Sequence, residues 1–338
     1  MLKTGLRMAR KILDKKRWQR FPQVIQIDTN NFCGPTFCKG ILCSYCYPQW
    51  KIKSGERKYT SMPTETIKLI LDQVGRYGKT EMDLIDFFLN GDGFTEPRLP
   101  ELHNYAKRRV PNAITQTFTN GIRWENYEAA LALDRVCFTI SAHMPKLYEV
   151  VHGSDCLMDA LKGLRLVLDN RREDQRVEVH CVLTKDNIPY AKDWWEFFGK
   201  NYPDAIRILS PLVASYDNLP SKESMGDYSL DDMEKIVIDV AGAEGRMWTR
   251  ALIPDGKNCV LADNMSIDVE GAILQCCSWA PPEDVNYGNV FSMEQENYTL
   301  KDAWLKRLSN KFQNKLCNSC NMKSPYFDKR IMAMRVGG

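Results

Sequence analysis

Residues 24–47 read VIQIDTNNFCGPTFCKGILCSYCY. The stretch opens on a short apolar run, Val24 to Ile27, with strand character, and four thiols follow within fourteen residues: Cys33, Cys38, Cys43 and Cys46. Thiolates this dense in one loop gather around iron or zinc. Cys43 and Cys46 make the C-x-x-C half of such a loop, with the aromatic Tyr45 just before the last thiol. Either Cys33 or Cys38 would complete a three-thiol site.

Working outward, five further apolar runs have the same texture: Leu84 to Leu89, Ile114 to Phe118, Val136 to Ile140, Val177 to Leu183 and Ile206 to Leu212. Helical patterns separate them, at Thr64 to Arg76, Pro100 to Arg109, Trp124 to Ala132, Leu157 to Asn170 and Ala191 to Lys200. Branched, aromatic-rich runs alternating with helices predict parallel strands. Six such units predict an α/β fold, a partial (β/α)6 TIM-like barrel, with functional residues at the C-terminal strand ends. After a further helix, Leu230 to Gly242, the texture changes. Met265 to Leu274 alternates around Glu270-Gly271 as a hairpin does. A helical Leu300 to Leu308 and a closing Cys317-x-x-Cys320 follow. The expected organisation is a basic N-terminal helix over 1–22, a partial barrel over 23–245 and a small C-terminal α+β module over 246–338.

Composition bounds the function. With 44% apolar and 26% charged residues, the 338-residue chain is an ordinary globular one. It shows no secretory signal and no run long enough to span a membrane. Twelve cysteines without an export signal point to a reducing, cytoplasmic setting where thiols serve metals or catalysis. The net charge is +3 overall, yet residues 1–20 alone carry +7, which leaves −4 elsewhere. That opening segment reads as an amphipathic basic helix, either packed on the barrel with a solvated face or touching an anionic surface.

The order of motifs adds a resemblance. A strand, a cysteine loop ending CSYCY, LNGDGFTEPRLPEL after the second strand, TFTNG at the third and FTISAH at the fourth resemble the radical S-adenosylmethionine (SAM) superfamily. The C-terminal cysteines, with IDVEGAILQCC, YGNVF and LKDAW between them, resemble the Twitch module, the shorter relative of the SPASM domain. The matches cover about residues 22–322. The resemblance implies a 4Fe-4S cluster on three loop thiolates with one iron left for SAM, and a second, auxiliary 4Fe-4S cluster on Cys259, Cys277, Cys317 and Cys320. Cys276 is an alternative to Cys277, because adjacent strand residues face opposite ways. It also implies SAM contacts at Tyr45, Gly91, Gly93, Glu96, Thr119, Asn120 and Ser141, and an electron donor such as flavodoxin or ferredoxin. The family loop is C-x3-C-x2-C; here Cys38 gives C-x4-C-x2-C and Cys33 gives C-x9-C-x2-C. Cys33 is favoured because the strand end anchors it.

The implied chemistry is hydrogen abstraction from a small polar substrate such as a sugar or aminocyclitol, ending in dehydrogenation or epimerisation. A catalytic role is assigned to Cys137, His143 and Cys181. Cys137 shares strand parity with Thr139 and Ser141, so it faces the barrel interior near its floor, and His143 lies just beyond strand four. Cys156, Cys181 and Cys276 are further thiols for a hydrogen-donating role. Two alternatives stand beside this reading. One is a maturase of ribosomal peptides from the same superfamily; the other is a non-catalytic zinc or iron-sulfur protein whose basic helix contacts nucleic acid.

Overall fold

The computed structural model describes residues 21–34, 43–46, 49, 52–55, 58–80, 82–212, 220–228, 230–241, 264–274 and 287–309. The basic segment 1–20 lies outside them, as do Cys38, Cys259, Cys276, Cys277, Cys317 and Cys320.

Eight strands form one open sheet in the order β6-β5-β4-β3-β2-β1-β7-β8. They are β1 Val24–Ile27, β2 Leu84–Asp86, β3 Ile114–Thr119, β4 Arg135–Thr139, β5 Arg176–Leu183, β6 Ile206–Pro211, β7 Asn264–Ile267 and β8 Ile273–Leu274. Every pair from β6 through β7 is parallel, and only β7 with β8 is antiparallel. The six strand positions expected from the apolar runs are all present, although β2 stops at Asp86. The C-terminal hairpin forms as expected, turning at Gly271 with φ +81° while the Asp268 carboxylate accepts from the amides of Glu270 and Ala272. Its first strand does more than close a hairpin: β7 pairs in parallel with β1, Val24 opposite Asn264 through Ile27 opposite Ile267, and extends the barrel sheet.

The helices lie where apolar side chains recur at helical spacing. In α1, Thr64–Tyr77, the buried residues are Ile67, Ile70, Leu71 and Val74. The others are α2 Leu99–Arg109, α3 Tyr127–Ala130, α4 Pro145–His152, α5 Leu157–Asn170, α6 Ala191–Asn201, α7 Pro220–Met225, α8 Leu230–Ala241 and α9 Leu300–Ser309. Helix α4 is not among the elements expected from sequence. It is only eight residues long, starts on Pro145, ends on Gly153 at φ +68°, and buries Leu147, Tyr148, Val151 and His152.

The two faces of the sheet differ in chemistry. One face presents Ile25, Ile27, Ile85, Val136, Phe138, Val177, Val179, Cys181 and Leu209 to the helices as a continuous apolar core. The other, concave face begins with a polar row in register across six strands: Ser266, Gln26, Asp86, Gln116, Arg135 and Arg176. Ser266 donates to Gln26 (3.0 Å), Gln26 and Gln116 both donate to Asp86 (3.3 and 3.0 Å), and Arg135 donates to Gln116 (3.2 Å). Buried polar groups are tolerated where they hydrogen-bond one another, and these bonds link Ser266, Gln26, Asp86, Gln116 and Arg135 along the barrel floor. No helix among the described residues is long and apolar enough to cross a membrane.

Candidate active site

The ends of β1, β2 and β3 are tied together by polar side chains. Past β1, Asp28, Thr29, Asn30 and Asn31 are all buried. The Asp28 carboxylate accepts from both the backbone amide (3.0 Å) and the side-chain amide (2.7 Å) of Asn90. Asn30 Oδ1 accepts from the Phe32 amide at 3.0 Å and from the Thr95 hydroxyl at 3.0 Å. The first of these bonds is an Asx turn, and it fixes the backbone one residue before Cys33. Asn31 accepts from the Thr60 amide (2.8 Å), and Gln49 donates to the Asn31 and Asn90 carbonyls, so the chain on both sides of the cysteine loop is pinned to the barrel rim.

Cys33, Cys43 and Cys46 are half-buried at this rim, and none of them is in a disulfide. Asn120 at the end of β3 donates its amide to Cys33 Sγ at 3.6 Å. The Ser44 amide donates to the Val151 carbonyl of α4 (2.9 Å), and Cys46 closes a turn onto Cys43 (3.1 Å). Cys43 Sγ lies 3.4 Å from His152 Nδ1, while His152 Nε2 accepts from the Ser141 amide at 2.9 Å. The Tyr148 ring stacks on His152 with centroids 4.3 Å apart, and burial pushes its hydroxyl well up. Three separate elements therefore gather the thiols: the end of β1, the C-x-x-C turn and helix α4.

Burial governs the electrostatics at the rim and keeps its titratable groups neutral. Burial, then the neighbouring Cys46, pushes the Cys43 thiol well up, and burial pushes Cys46 up to about 11. Burial drives His152 down to about 3, so its ring is neutral. Two thiols this reluctant to ionise become thiolates only when a cationic centre replaces their protons. The Tyr148 hydroxyl, the Ser44 hydroxyl, Asn90 Oδ1 and Gln49 Oε1 are buried around the same rim without a hydrogen-bond partner among the described residues. Soft donors beside orphaned polar atoms suit an iron-sulfur cluster together with a polar organic cofactor.

The other expected cofactor residues are placed as follows. In GDGFTEP, Asp92 caps the short 3-10 turn Gly93–Thr95 and also accepts from the Thr119 hydroxyl (2.8 Å) and the Asn120 amide (2.7 Å). The two glycines answer a packing need: a Cβ on Gly91 would clash with the Asn30 carbonyl, and one on Gly93 with the Thr117 side chain. Glu96 is buried and engaged by Arg98, whose Nε (2.8 Å) and Nη2 (2.6 Å) hold one carboxylate oxygen each, with Asn30 donating at 3.3 Å. Although burial alone would raise it, this clamp lowers the Glu96 carboxyl below the usual range. Arg98 continues to the Met62 carbonyl and the Thr64 and Ser61 hydroxyls. Ser141 is fully buried, its hydroxyl accepting from the Val182 amide at 3.0 Å and meeting Tyr45.

The three residues given a catalytic role separate. Cys137 faces the concave interior, where its thiol, the Glu178 carboxylate and the His180 imidazole lie within 4.8 Å of one another, all buried. Glu178 pairs with His180 (2.8 Å), Arg176 (2.6 Å) and Arg135 (3.5 Å). Burial raises its carboxyl, but His180 and the two guanidiniums outweigh that and hold it at about 2. With two arginines on one carboxylate, the group is an ion network rather than a cation site. Phe118, in edge contact with His180 (5.2 Å), and Phe88 line the same interior. Cys181 faces the opposite way, into the apolar core against the helices, and burial pushes its thiol well up. His143 sits against Phe197 of α6 (5.6 Å) with Asp193 nearby. Sequence reasoning missed Asp92, Tyr148, Glu178 and the structural part of His152: Asp92 meets Thr119 and Asn120, and His152 meets Cys43, across the fold, while Glu178 and Tyr148 lie in elements whose facing only the packed sheet and α4 reveal.

No protein-family model and no curated protein sequence matches the chain. Solved structures do. A histidine-tagged anSMEcpe with bound AdoMet superposes with a TM-score of 0.60 at 14% identity, over 88% of this chain and 79% of that one. "Native anSMEcpe with bound AdoMet and Cp18Cys peptide" gives 0.60 at 12% identity, over 87% and 81%. "Native anSMEcpe with bound AdoMet" gives 0.57 at 11% identity, over 88% and 82%. The mostly parallel open sheet, its helical outer layer and this likeness together identify the fold as a partial TIM-like barrel, the fold these AdoMet-bound structures share.

Proposed function

We propose that the chain is a radical SAM enzyme acting on a small polar substrate by hydrogen abstraction, with dehydrogenation or epimerisation as the outcome. The observation that carries this reading is the convergence of Cys33, Cys43 and Cys46 on the strand ends of a barrel whose structural neighbours hold AdoMet. Cys33, Cys43 and Cys46 would hold the 4Fe-4S cluster, leaving one iron for the amino and carboxylate groups of SAM. When bound, the cluster and SAM supply a 5′-deoxyadenosyl radical. Tyr45, Asn120, Ser141 and the Gly91–Gly93 turn would line the place for the cofactor, and the Tyr148 and Asn90 atoms left over at the rim would be partners for its polar groups. Cys259, Cys277, Cys317 and Cys320 would hold the auxiliary cluster, and a flavodoxin or ferredoxin would deliver the electron.

The concave face suits a hydroxylated or aminated substrate, since its floor is a ladder of amides, carboxylates and guanidiniums. Cys137 is preferred over Cys181 as the thiol that meets substrate, because it shares the interior with Glu178 and His180. Burial keeps Cys137 protonated, the form able to give a hydrogen atom, and the Glu178–His180 pair borders it. A second reading, modification of a peptide, is favoured by the peptide-bound neighbour.

The test is anaerobic reconstitution followed by dithionite and SAM. The expected result is 5′-deoxyadenosine, about eight irons per chain, loss of SAM cleavage in Cys33→Ser and its retention in Cys38→Ser. Colourless, zinc-loaded protein that forms no 5′-deoxyadenosine would refute the proposal.

A further inference from the structure

The histidine beside the cysteine loop has a fixed tautomer. Its Nε2 accepts a hydrogen bond from the Ser141 backbone amide at 2.9 Å, and an amide N–H can only donate. With Nε2 an acceptor, the ring proton of His152 sits on Nδ1, 3.4 Å from Cys43 Sγ. The ring cannot turn away: Tyr148 stacks on one face at 4.3 Å, Tyr45 meets it edge-on at 6.2 Å, and the side chain is buried in the last turn of α4. The Ser44 amide bond to the Val151 carbonyl holds the C-x-x-C turn against the same helix, one residue from His152.

We infer that His152 is a positioning residue that donates an Nδ1–H···S hydrogen bond to the Cys43 ligand and raises the reduction potential of the cluster held there. This rests on the reading of Cys43 as a cluster ligand. A hydrogen bond to a ligand sulfur grows stronger as negative charge accumulates on it, so it favours the one-electron reduced state over the oxidised state. Ser141 orients the imidazole in the way an outer partner orients a metal-bound histidine. The electron comes from an external reductant, here dithionite, and no bond is made or broken at His152.

Two measurements test this. The first is a redox titration, followed by electron paramagnetic resonance, of reconstituted wild-type, His152→Phe and His152→Gln proteins, watching the cluster whose signal changes on adding SAM. Phe keeps the stacking and removes the N–H; Gln keeps an amide donor. Loss of the bond is expected to shift the reduction equilibrium about tenfold toward the oxidised state, about 59 mV more negative for one electron, with Gln restoring part of it. The second needs no cluster: two-bond 15N–1H correlations of the wild-type imidazoles should show His152 as the Nδ1–H tautomer. Iron-loaded Phe variant with an unchanged midpoint, or an Nε2–H tautomer in the wild type, overturns the inference while leaving the cluster reading intact. Wild-type protein that binds no iron overturns both. If the Phe variant does not fold, the tautomer measurement decides alone.

Discussion

Replacing Glu178 by Gln removes one charge from the most densely paired group in the barrel. The carboxylate is buried and faces His180 at 2.8 Å, Arg176 at 2.6 Å and Arg135 at 3.5 Å. These partners, against the opposing effect of burial, move its carboxyl from 4.5 to about 2. At 1.36 kcal/mol per unit, the linkage is worth about 3 kcal/mol at neutral pH. An unfolding entropy of about 2 cal/mol/K per residue is about 0.7 kcal/mol/K for this length, so the melting temperature should fall by about 4 °C. The sign with pH follows from a depressed carboxyl. Its stabilisation is complete above 4.5 and is lost as pH falls toward 2, so the gap between wild type and E178Q should shrink by more than half by pH 3. Differential scanning calorimetry from pH 7 to pH 3 measures this, with E196Q in the exposed Lys192–Glu196 pair as a control expected to move little. A gap below about 1 °C at pH 7, or one that does not close on acidification, would refute the reasoning.

Other outcomes follow from the same structure. Gly163→Ala should destabilise by about 1–3 kcal/mol despite the better helix propensity of Ala, because the new Cβ on α5 would clash with the backbone of Gly121, itself held at φ +78°; chemical denaturation measures it, and a gain in stability would show that α5 can ride away from the β3 end. Arg98→Met should cost about 3 kcal/mol by leaving the Glu96 carboxylate buried with two neutral donors, the Asn30 side-chain amide and the backbone amide of residue 98, in place of the guanidinium. That loss should be smaller at pH 4, where Glu96 protonates in the variant, and thermal melts at the two pH values compare them.

Much of the barrel was legible in the order of residues. The six runs from Val24 to Leu212 become β1 to β6, and the alternation around Glu270-Gly271 becomes a hairpin. Strand parity also separates Cys137 from Cys181 once the strands are placed. Helix α4 was not legible, because eight residues carrying His and Tyr on the buried face give too weak an apolar period. Nor was the joining of β7 to β1, since pairing between residues some 240 apart leaves no local trace.

The candidate site divides the same way. By itself the sequence determined the strand that precedes the cysteine loop, the C-x-x-C spacing and the position of polar residues at strand ends, because these are properties of consecutive residues. Only the tertiary structure decided which groups meet. It put Asn30 and Asn120 around Cys33, clamped Glu96 with Arg98, and brought His152, 109 residues along the chain, against Cys43. The physical reason is that hydrogen bonds and burial act through space, and a parallel barrel gathers the ends of strands far apart in sequence onto one rim.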